Sequence, residues 1–280
     1  MIRPPWKILE ESGLRPRKSL GQNFLIDPST ASMIIRNSGL SSDETVLEIG
    51  PGLGALTVQL SQKAERVYAV EKDASLARIL EKELLRLGIE NVAVVHSDIF
   101  DVDPRELCSR QTKPLKVFGN LPYYISSPLL FYLTGYREHV EQADLMLQRE
   151  LARRIVAESG TKVYGRLSVM LQYYADIRRS ATVDAHLFWP HPRVDSEVLQ
   201  FRFKKEPFPA LESKAVFAEV VKAAFGKRRK TLQNALLASR LAVEKERLAA
   251  AFSQCGIDPQ SRAETLTVRQ FADLANALCF

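Results

Sequence analysis

Between Thr45 and Gln148 the chain alternates two patterns of apolar and polar residues. The short β-branched runs "TVLEIG", "RVYAVE", "VAVVHSD", "LKVFGN" and "ADLMLQ" are almost uninterruptedly apolar, which predicts strands buried on both faces. The stretches "ALTVQLSQKA" and "ASLARILEKELLRLG" instead place apolar residues at helical spacing, and Gly88 offers a C-terminal cap to the second. Strand and helix in repeated alternation predict an α/β fold with a doubly wound, Rossmann-like parallel sheet. "SATVDAHLF" and "SEVLQFRFK" flank a proline-rich loop and read as a closing strand pair. After the linker-like "KKEPFPALES" the pattern turns helical, through "SKAVFAEVVKAAFG", "KTLQNALLAS", "EKERLAAAFSQCG" and "TVRQFADLANAL". Two domains are expected: residues 1–203, built on the sheet, and residues 204–280, small and α-helical.

Composition narrows the class. With 280 residues, 46% hydrophobic and 26% charged, the chain has ample material for a core. It shows no signal-peptide run and no stretch long enough to span a bilayer, so a cytoplasmic protein without membrane contact is expected. Cys108, Cys255 and Cys279 form no CxxC pair and no Cys/His cluster; neither disulfides nor a metal site are indicated. The net charge of +6 is unevenly spread: residues 1–20 carry five basic and two acidic side chains, and residues 201–280 carry 14 and eight. The middle is slightly acidic, so a polyanion would be gripped by the ends.

In "LEIGPGLGALT", Gly50, Gly52 and Gly54 stand where a strand passes into a helix, a place where backbone can approach a ligand closely. Glu71 ends the next strand about 20 residues on, the usual distance for a carboxylate that accepts ribose hydroxyls. Asp98 ends the third strand, and the ends of parallel strands converge on one crevice. The spacing is G-x-G-x-G, and Pro51 removes an N–H that a pyrophosphate cradle could use. A nicotinamide cofactor therefore fits less well than S-adenosylmethionine (SAM), which has no phosphate and needs carboxylates for its ribose and adenine amine.

The stretch "VFGNLPYYISSP" ends an apolar run on an uncharged amide, then stiffens the exit with proline. The exocyclic amine of adenine is a poor nucleophile because its lone pair is delocalised. Acceptors for both of its N–H groups favour a pyramidal, reactive nitrogen, and they need not be strong bases. Asn120 can supply one acceptor and the carbonyl of Leu121, held by Pro122, the other. Tyr123 can stack on a base that has left its helix or loop.

Taken together, "EIGPGLG", Glu71, Asp98 and "NLPY" resemble the family of adenine-N-methyltransferases that act on ribosomal RNA. "KSLGQNFL" (18–25), "FWPHPRVDS" (188–196) and "KRRKTLQNAL" (227–236) extend the likeness to its bacterial KsgA-type small-subunit rRNA adenine dimethyltransferases. The resemblance implies a SAM-dependent catalytic domain, with Asn23, Leu25, Gly50, Gly52, Glu71, Asp98 and Asn120 lining the SAM site. It implies that Tyr123 and Phe188 sandwich the target adenine. The implied substrate is a pair of adjacent adenosines in the hairpin near the 3′ end of small-subunit rRNA, on an immature subunit, and a monomeric enzyme is expected. His191 departs from the proline loop of the family, where a less polar residue or proline is expected.

"GKRRK" places Lys227, Arg228, Arg229 and Lys230 at what reads as a helix start. Basic groups there oppose the helix dipole, which favours a phosphate partner over helix stability and makes this an expected RNA contact. Two rival readings use the same residues. One is a large-subunit rRNA adenine methylase of the macrolide-resistance type. The other is a non-catalytic ribosome-assembly or transcription factor of methylase descent, which would not need Asn120, Glu71 and Asp98.

Overall fold

The computed structural model describes residues 3–17, 20–108, 113–122, 124–227, 229–239, 241 and 243–279. Its strands are β1 (Phe24–Leu25), β2 (Thr45–Ile49), β3 (Arg66–Glu71), β4 (Val92–His96), β5 (Leu115–Asn120), β6 (Val140–Gln148), β7 (Ala175–Val183), β8 (Phe188–Trp189) and β9 (Ser196–Phe203). Seven of them form one sheet in the order β4-β3-β2-β5-β6-β9-β7, and β1 pairs with β8 apart from it. The pairs from β4 to β6 are parallel, and β9 runs antiparallel to β6. The strand order reverses between β2 and β5, which leaves a crevice at their C-terminal ends. Every sequence-predicted strand in the 45–148 region is present. β4 differs in burial: it closes one edge of the sheet, and its residues are half-buried, not covered on both faces.

The chain divides into two compact units, Met1–Ala152 with Ile177–Phe203, and Arg153–Asp176 with Lys204–Phe280. A single cut at 203/204 is therefore too simple. The helix Arg166–Tyr174 packs with Lys214–Phe225 and Val268–Ala277, so this internal segment belongs with the C-terminal helices. The helix is buried nearly all round, at Val169, Met170, Leu171, Tyr173 and Tyr174, as a helix with packing partners on several sides is.

In the first unit, Leu25, Ile34, Val46, Leu60, Phe118, Met146 and Val198 belong to one buried cluster around the sheet. In the second, Phe217, Val220, Leu236, Phe252 and Phe271 are buried between short helices. Those helices are capped by sequence: Ser213 Oγ accepts from the Val216 N–H at 3.3 Å, and Thr267 Oγ1 from the Gln270 N–H at 3.2 Å. The basic run does not start a helix. Lys227, Arg229 and Lys230 lie in the turn after Lys214–Phe225 and before Thr231, the N-cap of Leu232–Leu237. The dipole argument therefore does not apply, since cations just past a helix C-terminus are favourable. All three side chains are exposed; Arg228 lies outside the described residues.

Candidate active site

A cavity of about 380 Å³ opens at the C-terminal ends of β2, β3 and β5, within the size range of ligand sites. Asn23, Leu25, Gly50, Gly52, Glu71, Asp98, Asn120, Leu121 and Phe188 all line it. Residues separated by up to 165 positions thus meet because each sits at a strand end or on the β1–β8 pair. Tyr123 lies outside the described residues, while its neighbour Tyr124 is exposed and lines the cavity.

The glycine turn is locked onto the first carboxylate. Gly52 adopts φ +58°, and its N–H donates to Glu71 Oε2 at 3.0 Å. The Asp73 N–H donates to Glu71 Oε1 at 2.8 Å. A Cβ at position 52 would stand 3.2 Å from the Phe24 ring, so glycine is required both by the dihedral and by the close approach. Burial pushes the Glu71 carboxyl above its ordinary range, against the pull of those two N–H groups. Each oxygen keeps a lone pair for a further donor. Asp98 is held differently: Oδ1 accepts from the Phe100 N–H at 3.2 Å and Oδ2 pairs with Lys72 Nζ at 2.6 Å. The adjacent ammonium holds Asp98 below the ordinary carboxylate range.

The segment before β1 is tied down over the same region. Gln22 Nε2 donates to Asp73 Oδ2 at 3.1 Å, and Arg17 pairs with that oxygen at 3.2 Å. Asn120 Nδ2 donates to the Asn23 carbonyl at 3.0 Å, which leaves Oδ1 as the amide's free acceptor. The Leu121 N–H is bonded to the Met146 carbonyl at 3.1 Å, fixing the following peptide. Gly119 makes this crossing possible: a Cβ there would be 2.9 Å from the Ile49 carbonyl and 3.0 Å from Leu121 Cδ2.

Phe188 pairs with Leu25 across β1 and β8, and the Ile26 N–H donates to the Leu187 carbonyl at 2.9 Å. The Phe188 ring is 1% exposed and packs against Leu25 and Met146, so it is a core residue as well as a cavity wall. Trp189 meets Trp6 edge-on with centroids 6.4 Å apart, and Trp6 itself lines the cavity. Asp195 closes the loop between them: Oδ1 accepts from the Ala185 N–H at 2.9 Å and Oδ2 pairs with Arg149 Nη2 at 2.7 Å.

Sequence reasoning passed over Glu48, Gly119, Lys72 and the Arg149–Asp195 pair. Glu48 was readable in one respect: it is a carboxylate inside an otherwise apolar strand. It lines the cavity at 1% exposure, and its Oε2 has no hydrogen-bond partner. Burial pushes its carboxyl up to about 8, helped by the nearby Glu71 charge. Among the described residues no group of three or more His, Cys, Asp or Glu could hold a metal ion. No described helix is long and apolar enough to cross a membrane.

The sheet order and the glycine turn with its carboxylates define a Rossmann-like methyltransferase. Residues 13–279 match the model of the ribosomal RNA adenine dimethylase family, and the chain belongs to that family. A relative from Desulforapulum autotrophicum, named ribosomal RNA small subunit methyltransferase A, is 44% identical over 98% of this chain and 96% of its own length. One of the same name from Bacillus cereus is 40% identical over 97% and 94%. The crystal structure of a dimethyladenosine transferase from Plasmodium falciparum aligns with a TM-score of 0.78 at 26% identity, covering 90% of this chain and 95% of that one. The 23S rRNA methyltransferase ErmE aligns at 0.69 and 30% identity, covering 91% and 99%.

Proposed function

We propose that the protein transfers methyl groups from SAM to the exocyclic amines of two adjacent adenosines in the 3′-terminal hairpin of small-subunit rRNA, giving dimethyladenosines on an immature subunit. The observation that carries the reading is the Asn120 amide. Its nitrogen is engaged by Asn23, so Oδ1 is left to accept from an amine in the cavity. The Leu121 carbonyl supplies the second acceptor.

The cavity suits SAM on its own evidence. Glu71 and Asp98 stand ready for ribose hydroxyls and an adenine amine, and the Gly50–Gly52 turn gives backbone approach without a side chain. When bound, SAM supplies a methyl group activated by positive sulfur. The chain's task is then to hold and orient the amine, and effective positioning accounts for much of such a rate. The nitrogen becomes positive and acidic on methylation, so its proton can leave to water. A neutral Asn suffices where a hydrolase would use a carboxylate or His. Phe188 and Tyr123 are assigned to the faces of the base, and Lys227, Arg228, Arg229 and Lys230 to RNA phosphates.

Two names among the relatives bear on the choice of RNA. The small-subunit relatives share 40–44% identity with this chain, against 30% for the large-subunit enzyme ErmE. The test is transfer of radiolabelled methyl from SAM to small subunits lacking this modification, with mature small subunits and isolated large subunits alongside. Label recovered as dimethyladenosine from the unmethylated small subunits alone is the expected result. Label on large subunits alone would replace the substrate, and intact subunit binding without label anywhere would favour an assembly factor.

A further inference from the structure

Glu48 is a charged residue type placed where charge is hard to sustain. It sits one residue before the end of β2, in register with Ala69 on one side and Phe118 on the other, neither of which offers a polar side chain. The Thr57 hydroxyl and N–H, at the start of the next helix, are near enough to oppose the effect of burial but do not offset it. Even so, that hydroxyl and Glu48 Oε2 are both without a hydrogen-bond partner. From β3, Glu71 adds a second buried carboxylate to the same cavity. The other charged residues of the wall are Arg3, Lys72 and Asp98. Both cations are engaged elsewhere: Lys72 with Asp98 at 2.6 Å, and Arg3 with Glu83 at 2.5 Å and Glu11 at 2.5 Å. The cavity therefore presents two buried acids, one with an oxygen unpartnered, and no free cation among its described charged residues.

An isolated carboxylate in such a place keeps its proton, whereas a cation entering the cavity makes the ionised form the better one. We infer that cofactor binding is proton-coupled through Glu48: the side chain is a carboxylic acid in the empty site and loses its proton to solvent as SAM enters. This rests on the SAM reading given above. The step is balanced as an exchange, one proton leaving Oε for buffer as one positively charged ligand arrives, with no bond to the ligand formed. Methyl transfer removes the sulfonium charge, so the product S-adenosylhomocysteine (SAH) stabilises the carboxylate less. Reprotonation of Glu48 then favours product release over rebinding. Burial holds Glu48 in its protonated form in the empty site, so a proton is there to be released.

Titration calorimetry of SAM into the full-length protein at pH 7, in buffers of different ionisation enthalpy, reads the proton count directly. The wild type is expected to release about half a proton or more beyond Glu48→Gln, with a smaller difference for SAH. The protonation of the SAM amine, followed by its own NMR shift free and bound, is subtracted for each protein. SAM affinity of the wild type should tighten several-fold from pH 6 to pH 8, and that of Glu48→Gln should change much less. Gln reproduces the shape of the protonated acid; should the variant not fold, the ¹³C shift of the Glu48 carboxyl in the wild type gives the same reading. A carboxyl that titrates near neutral pH without SAM and is ionised at pH 7 with it is the expected result. SAM binding with equal proton release by both proteins, or a Glu48 signal unmoved by SAM, overturns this inference alone. Absence of SAM binding to folded wild-type protein overturns the proposed function and this inference with it.

Discussion

Asn120 is oriented by what its nitrogen touches. Because Nδ2 donates to the Asn23 carbonyl, Oδ1 is left as the acceptor of this amide. Asn120→Ala is expected to lower methyl transfer by about 10²-fold or more while leaving SAM affinity within a few-fold, as befits a group that acts on the transition state. Single-turnover rates beside equilibrium SAM binding check this, and near-normal turnover would remove the assigned role. Gly119 lies one residue earlier and makes a purely steric demand. Gly119→Ala puts a Cβ 2.9 Å from the Ile49 carbonyl, where neither strand can move freely. A loss of roughly 2–3 kcal/mol in denaturant unfolding is expected. Glu48 has a signature of its own in stability. Its folded pKa is raised, so its unfavourable contribution is absent below the unfolded value and sets in as pH rises towards about 8. Without SAM, Glu48→Gln should match the wild type near pH 4 and exceed it at pH 9 by on the order of a few kcal/mol. Urea midpoints at the two pH values decide it.

At the scale of elements, the telling piece is the loop that carries Phe188. β8 is only two residues long, too short to hold a ring in place by pairing with β1 alone. Burial in the core holds the ring itself, and Asp195 adds a polar constraint, tying the loop's exit to its start at Ala185 and to Arg149, the residue after β6. Asp195→Ala should therefore loosen Phe188 and reduce methyl transfer about tenfold, with SAM affinity little changed. Asp195→Asn keeps an acceptor for the Ala185 N–H and should recover part of that loss. Measuring the turnover and the substrate KM of both variants separates a positioning effect from general destabilisation.

At the scale of the molecule, the sheet unit holds the cavity and the helical unit carries the basic turn. Lys227, Arg229 and Lys230 are exposed and contribute no described packing, so replacing all three with Ala should leave thermal stability nearly unchanged. If they neutralise phosphates, RNA affinity falls and the slope of log K against log salt flattens by roughly 0.7–0.9 per lost contact. Binding measured at several salt concentrations checks this, and an unchanged slope would free these residues from the role.

Local pattern alone carried much of this protein. The strands from Thr45 to Gln148 were legible because buried parallel strands write continuous apolar runs. The four C-terminal helices were legible because their apolar periodicity is a local signal. Gly50, Gly52, Glu71, Asp98, Asn120 and Leu121 were named because glycines, acids at strand ends and an Asn-Leu-Pro turn each have their own short-range chemistry, whereas Asn23, Leu25 and Phe188 came from the family resemblance alone. What only the tertiary structure decided depends on neighbours far away in the chain. Residues 153–176 joined the helical unit because Arg166–Tyr174 found its partners there. The basic run fell between helices because Thr231, not Lys227, provides the cap. The direction of the Asn120 amide, the closure of the Phe188 loop by Arg149 and Asp195, and the state of Glu48 follow from the folded surroundings. A hydrogen-bond partner or the loss of solvent around a carboxylate is a property of three-dimensional proximity, and sequence spacing does not encode it.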